Sequence, residues 1–144
     1  MYVIDSNVFS KLFIEEADSE QAQQFFIACL QQDVPLIAPT LLKYEVLQTA
    51  SYYKHPLEAA LQLLDSYSEL SLKLQDLNAQ AWAIAEQISQ TGHVKSGFPS
   101  LYDSCYHALA IEQGLVFITA DKRHFVKAEA FGHIMLLKEW NNLF

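Results

Sequence analysis

Glycine and proline are scarce in this chain, four of each. That excludes collagen-like, proline-rich and glycine-rich low-complexity classes, and no internal repeat or linker divides the sequence. Cysteine is scarcer still. Cys29 and Cys105 are too few for a disulfide framework, and each falls on the apolar face of an expected helix, so both read as buried free thiols. No apolar run approaches the ~20 residues that span a bilayer. The first apolar stretch has no basic flank and is interrupted by Asp5, so no secretory signal is expected and the expected compartment is the cytoplasm. Positive charge is also in short supply. Nine Lys and Arg stand against seventeen Asp and Glu, a net charge of −8. Such a balance argues against a non-specific nucleic-acid binder and suits a basic protein partner. If four of the carboxylates surround metal ions, half of that excess is neutralised locally.

What the chain does have is apolar residues, 51% of 144. That is enough for one domain, residues 1–144, with a sizeable core. The opening stretch organises the rest. Met1-Tyr2-Val3-Ile4 is an apolar run that ends in Asp5, and Val8 to Phe13 reads as a short helix. In an open α/β sheet, ligands bind just beyond the carboxyl ends of the strands. Further on, Ala22, Phe25, Phe26, Cys29 and Leu30 recur at helical spacing, with Asp18 or Ser19 as the N-cap. Val34 to Ala38, fenced by Pro35 and Pro39, reads as a strand. Thr40 caps a helix through about Tyr53, with Glu45 at the border of its apolar stripe. Leu57, Ala60, Leu61 and Leu64 mark another helix, and Glu69 to Leu74 alternates as a short strand. Leu77, Ala81, Ala85 and Ile88 predict a helix ending near Gly92, followed by a loop to Pro99. A helix opens at Ser100 and stops at Gly114. Leu115 to Thr119 is the plainest buried strand, and it too leads into an acid, Asp121. Lys122 to Phe125 forms a helical turn, and His133 to Leu137 a last strand. Helices alternating with short apolar strands predict an α/β fold on a parallel sheet.

Each acid has an ordinary reading when taken alone. Asp5 and Asp121 cap the helices that follow them, Asp103 completes a Ser100-x-x-Asp103 capping pattern, and Glu45 is a helix-surface residue. Their joint placement says more. Asp5 and Asp121 follow two strands expected to be neighbours, and Asp103 begins the helix that leads into the second. Two unit charges ~4 Å apart repel by ~4 kcal/mol at an effective dielectric near 20. Converging carboxylates therefore need protons or a cation. Oxygen ligands suit Mg²⁺ or Mn²⁺, and the scattered histidines make no zinc site. His107, one turn after Asp103, reads as a satisfied surface or boundary histidine.

The segments Ile4-Asp5-Ser6-Asn7-Val8, Tyr102-Asp103-Ser104-Cys105-Tyr106-His107-Ala108 and Ile118-Thr119-Ala120-Asp121-Lys122-Arg123-His124-Phe125, with Glu45 mid-chain, resemble the PIN-domain ribonucleases over essentially the whole chain. The nearest likeness is to the VapC-type toxins of toxin–antitoxin pairs. The resemblance implies a three-layer α/β/α sandwich with a central parallel sheet, usually homodimeric. It implies Mg²⁺- or Mn²⁺-dependent hydrolysis of RNA phosphodiesters, restrained by a cognate antitoxin protein. It places Asp5, Glu45, Asp103 and Asp121 at the catalytic, metal-holding positions and Asn7 and Thr119 at polar positions that support them. Lys95, Lys122, Arg123 and Lys127 are the basic residues available to RNA phosphates, with a solvated surface as the alternative. Phe98 and Tyr102 offer rings to stack on bases, but core packing is the more common fate of such residues.

Three other readings compete. A receiver-type signalling domain needs a phosphoacceptor Asp after a middle strand, where this chain has Pro39. An aspartate-nucleophile phosphatase wants Asp-x-Asp, where this chain has Asp5-Ser6-Asn7. A non-catalytic module of the same fold, binding RNA or protein, is the runner-up.

Overall fold

The structure, a computed structural model, describes all residues 1–144. Five strands form one sheet: β1 (Tyr2–Ile4), β2 (Leu36–Pro39), β3 (Leu72–Gln75), β4 (Val116–Thr119) and β5 (Ile134–Leu136). Seven helices connect them: α1 (Ser6–Ser10), α2 (Ser19–Gln31), α3 (Leu41–Tyr52), α4 (Leu57–Leu70), α5 (Ala79–Ser89), α6 (Leu101–Gln113) and α7 (Lys122–Ala128). Short 3-10 turns cover Glu129–Phe131 and Leu137–Leu143. The strands run in the order β3-β2-β1-β4-β5 and every pairing is parallel. All of β2 is buried, so helices cover both faces of the sheet there, as parallel sheets require. This is the expected α/β sandwich.

The strand order explains where a site forms. From β1 the chain moves to β2 and β3 on one side, then crosses to β4 and β5 on the other. The direction of winding therefore reverses between β1 and β4, and there the connections leave in opposite directions and open a crevice. The register pairs Ile4 with Ile118, which puts the residues after both strands at the same sheet edge. The Asp5 N–H still joins the ladder, donating to the Ile118 carbonyl at 3.0 Å. Asp5 is thus pinned at the switch point by the backbone itself.

The core is aromatic on one side of β1. Phe9 meets Phe26 and Tyr67 edge-on, with ring centroids 5.9 and 5.6 Å apart. Tyr67 explains one difference from the sequence expectation. It continues the stripe of Ala60 and Leu64, so α4 runs on to Leu70 and β3 begins only at Leu72. At the other end of the core α1 stops at Ser10, short of Phe13. The turn that follows is closed by the buried Lys11, whose ammonium lies 3.0 Å from Glu16 and 2.9 Å from Asp18. Ser19 donates to the Ile14 carbonyl there rather than capping α2. Thr40 likewise does not cap α3, because its hydroxyl donates to Asp76. Both cysteines are buried and free. No helix is long and apolar enough to cross a membrane.

Candidate active site

Asp5 is the most deeply placed of the acids, 3% exposed. Its Oδ2 accepts a 2.6 Å hydrogen bond from the Thr119 hydroxyl at the end of β4. That hydroxyl in turn accepts from the Asp121 N–H at 3.0 Å. One β-branched side chain therefore locks the first acid to the backbone of the last. Asn7 makes a second tie across the same gap, its Oδ1 accepting from the Ala120 N–H at 3.2 Å. Asp121 does cap α7, accepting from the Arg123 and His124 N–H groups at 2.9 and 3.1 Å through Oδ1. Both contacts fall on one oxygen, which leaves Oδ2 free for another partner. The capping function expected of Asp121 and its place at the site are compatible.

Glu45 reaches the same crevice from α3. Its Oε1 accepts from the Tyr106 hydroxyl at 2.6 Å and lies 3.3 Å from the Ser6 hydroxyl. Ser6 also lies 3.4 Å from Asp5 Oδ1, so one hydroxyl sits between the two carboxylates. Asp103 enters from the first turn of α6, whose N-cap Ser100 accepts from the Asp103 N–H at 3.0 Å. The cap fixes the backbone at Asp103, and the Ser100 hydroxyl also acts on its carboxylate.

The carboxylates feel one another. Burial, countered by the Thr119 bond and reinforced by the charges of Asp103, Glu45 and Asp121, pushes Asp5 up to about 7. Burial and the Asp103 charge also raise Glu45, against the bonds from Tyr106 and Ser6. Asp103 is raised by burial and by Asp121, against the Ser100 bond and the Lys127 charge. None of the four is in an ion pair, the only ones in the chain being those of Lys11. The fold thus gathers negative charge at the switch point and supplies no compensating side chain in contact with it.

The donor set is all oxygen. Cys105 lies near enough to feel Glu45, but burial foremost pushes its thiol up to about 11, so it stays neutral and is no ligand. No three His, Cys, Asp or Glu side chains are drawn tightly enough to enclose an ion by themselves. A depression of about 660 Å³ between Lys11 and Gln23 is lined by none of the four acids and has no part in this site. An open crevice of about 440 Å³, lined by Ser6, Leu41, Tyr44, Glu45 and Tyr102 among others, includes one of the four acids, Glu45.

Among the basic residues, Lys127 is the one whose charge acts on Asp103, and its ammonium occupies the space beside Gly97. Lys122 and Arg123 are exposed on α7, and Lys95 is exposed on the His93–Gly97 turn. Tyr106 and Ser6 escaped the sequence reading. The signal for Tyr106 was present: it stands three residues after Asp103, and a tyrosine on a buried helix face needs a partner for its hydroxyl.

His107 departs from expectation. It is fully buried, and it faces α7. Its Nε2 lies 2.6 Å from the Gly132 carbonyl, and its Nδ1 lies 3.2 Å from His124 Nε2. A carbonyl only accepts, so His107 carries its proton on Nε2 and accepts from His124 through Nδ1. Burial pushes both rings down to about 4, so both are neutral near pH 7. The pair ties the helix bearing Asp103 to the turn that follows Asp121. Phe98 and Tyr102 also depart from expectation, being 51% and 62% exposed instead of packed in the core.

Compared with known families, the chain matches the model described as PIN domain over residues 2–130. The matched span takes in all four acids, Asn7 and Thr119. No curated protein matches it.

Proposed function

Because this chain belongs to the PIN-domain family, whose members are generally nucleases, we propose that it is a Mg²⁺- or Mn²⁺-dependent ribonuclease. We propose further that it is the toxin of a toxin–antitoxin pair, acting in the cytoplasm as a homodimer that an antitoxin protein restrains. The observation that carries the nuclease reading is Asp5: a buried carboxylate raised to about 7 by burial and three further acids, with no cation of the chain in contact. Such a cluster is costly to fold unless its charge is used.

When bound, a divalent ion supplies counter-charge for the phosphate and an acidified water for hydrolysis. Asp5, Glu45, Asp103 and Asp121 are the residues that would hold it. Thr119 fixes the Asp5 carboxylate and Tyr106 fixes that of Glu45, so neither rotates at the moment of reaction. Asn7 holds the Ala120–Asp121 turn against α1. Lys127, with Lys95, Lys122 and Arg123 farther out, contacts phosphates on either side of the cut. The carboxylates repel an RNA backbone until they are neutralised, so binding and metal loading are coupled.

Purified protein freed of any bound partner is expected to cleave RNA with Mg²⁺ or Mn²⁺, to leave 5′-phosphate and 3′-hydroxyl ends, and to stop with EDTA. Absence of cleavage across a broad RNA pool with either metal contradicts the reading and favours the non-catalytic module. Tyr106→Phe removes one donor to Glu45 and keeps the ring in the core. It is expected to lower kcat about tenfold, while thermal unfolding shows stability changed by only ~1 kcal/mol. An unaltered kcat removes Tyr106 from the positioning role.

A further inference from the structure

Beside the acidic crevice lies a second, smaller pocket of about 150 Å³ whose lining is mainly apolar. Leu41 and Tyr102 line both openings, so the two are separated only by a shared wall. The small pocket is closed on its other sides by Trp82 and Leu101, with Asp76 and Thr40 at its rim. Trp82 and Tyr102 are 49% and 62% exposed and both line this pocket, so their rings are open to a ligand there. Pockets for drug-sized ligands run to about 300–1,000 Å³. This one is too small for such a ligand, and its size is of the order of a single planar ring system.

We propose that the pocket is a nucleobase subsite, taking one unpaired base of an RNA strand whose phosphate lies over the neighbouring acids. The proposal rests on the ribonuclease reading above and adds to it a charge-independent source of affinity and a source of base preference. Net charge works against the affinity, with nine basic residues against seventeen acidic ones, so the few phosphate contacts of the lysines and Arg123 need a supplement. Stacking on aromatic rings supplies it, because every base has a π-face and the contribution is independent of net charge. Tyr102 also lines the crevice that Glu45 lines, so a base against its ring places the adjoining phosphate toward that carboxylate.

Asp76 sets the preference. Its Oδ1 accepts from the Thr40 hydroxyl at 2.7 Å, which holds the carboxylate at the rim. A carboxylate only accepts hydrogen bonds. Guanine presents two adjacent N–H donors on its Watson–Crick edge and is favoured. Uracil flanks its single N–H with two carbonyl oxygens that face the carboxylate unfavourably, and is disfavoured.

The test is steady-state cleavage of single-stranded RNA, together with sequencing of the ends produced from a mixed RNA pool. It compares wild type with Tyr102→Ala, Tyr102→Phe and Asp76→Asn, each checked for an unchanged melting temperature. Tyr102→Ala is expected to raise KM about tenfold and to leave kcat within about twofold. Tyr102→Phe keeps the ring and should stay near wild type. Wild-type ends should show guanine enriched at one fixed position next to the cut, and Asp76→Asn should erase that enrichment. If wild type cleaves and Tyr102→Ala changes neither KM nor the end pattern, the subsite is overturned while the nuclease reading stands. If Tyr102→Ala and Trp82→Ala leave cleavage intact but dissociate a dimer, the pocket is a protein-docking face and the proposal is overturned. If wild type cleaves no RNA, the nuclease reading and the subsite fall together.

Discussion

Replacing Asp5 by Asn is expected to abolish RNA cleavage and, at the same time, to make the metal-free protein more stable at pH 8. Both effects come from one fact. Asp5 sits 3% exposed among three other acids, and its carboxyl is raised from 3.8 to about 7. A folded-state value above the unfolded one means that the folded protein holds the proton more tightly. Stability from this group is therefore present in full below about pH 3.8, falls as pH rises and is lost above about 7. Across that window the loss is on the order of 3 kcal/mol, since each tenfold gain in proton affinity is worth ~1.4 kcal/mol and burial in a real protein relaxes part of it. Asn has no charge to bury and still accepts from Thr119, so its melting temperature should exceed that of wild type at pH 8 and change less between pH 5 and 8. Cleavage should fall by about a thousandfold or more, in line with loss of electrostatic stabilisation at a reacting centre. An Asp5→Asn protein that cleaves at the wild-type rate refutes the assigned chemistry. One that melts earlier than wild type at pH 8 refutes the account of stored repulsion.

Thr119→Val is expected to have the next largest effect. Valine keeps the shape and the β-branching that suit β4 but removes the oxygen that serves two acids at once. The Asp5 carboxylate loses the bond that holds its pKa down, so it titrates at still higher pH. The rising limb of the pH–rate profile should then move upward, and activity at pH 7 should fall about 100-fold. The Asp121 N–H also loses its acceptor, at a cost of ~1–2 kcal/mol in stability. Thr119→Ser restores the hydroxyl and should recover most of the rate and the original profile. If Val and Ser behave alike, the hydroxyl is not what matters at this position.

Much of this was legible in the sequence because the decisive elements are local. An apolar run that ends in an acid, and a plain buried strand leading through a turn into another, set Asp5 and Asp121 at strand ends. The parallel pairing of β1 with β4 brought them together. Ser100 and Gly114 marked both ends of α6, the serine as N-cap and the glycine with φ +68° at the C-terminus. What was not legible depends on distant partners. Tyr106 and Glu45 are 61 residues apart, and nothing in either local pattern shows that one caps the other's charge. His107 reads as a boundary residue until Gly132 and His124 close over it. The start of β3 was masked because Glu69 and Leu70 alternate like a strand while Tyr67 keeps the helix going for the sake of Phe9 and Phe26. Phe98 and Tyr102 were expected inside because aromatic residues usually are. The first turn of α6 leaves Leu101 and Tyr102 exposed, while the helix buries Cys105, Tyr106, Ala108 and Leu109.

The fold, the hydrogen bonds and the raised carboxyls all bear on whether the gathered acids bind a divalent ion. Calorimetric titration of Mn²⁺ into the metal-free protein at pH 7.5, beside the Asp103→Asn and Asp5→Asn variants, tests this directly. Saturable binding at or below the millimolar range in wild type, weakened at least tenfold in both variants, is the predicted result. Equal heats in all three proteins, or no binding in wild type with or without RNA, would contradict it.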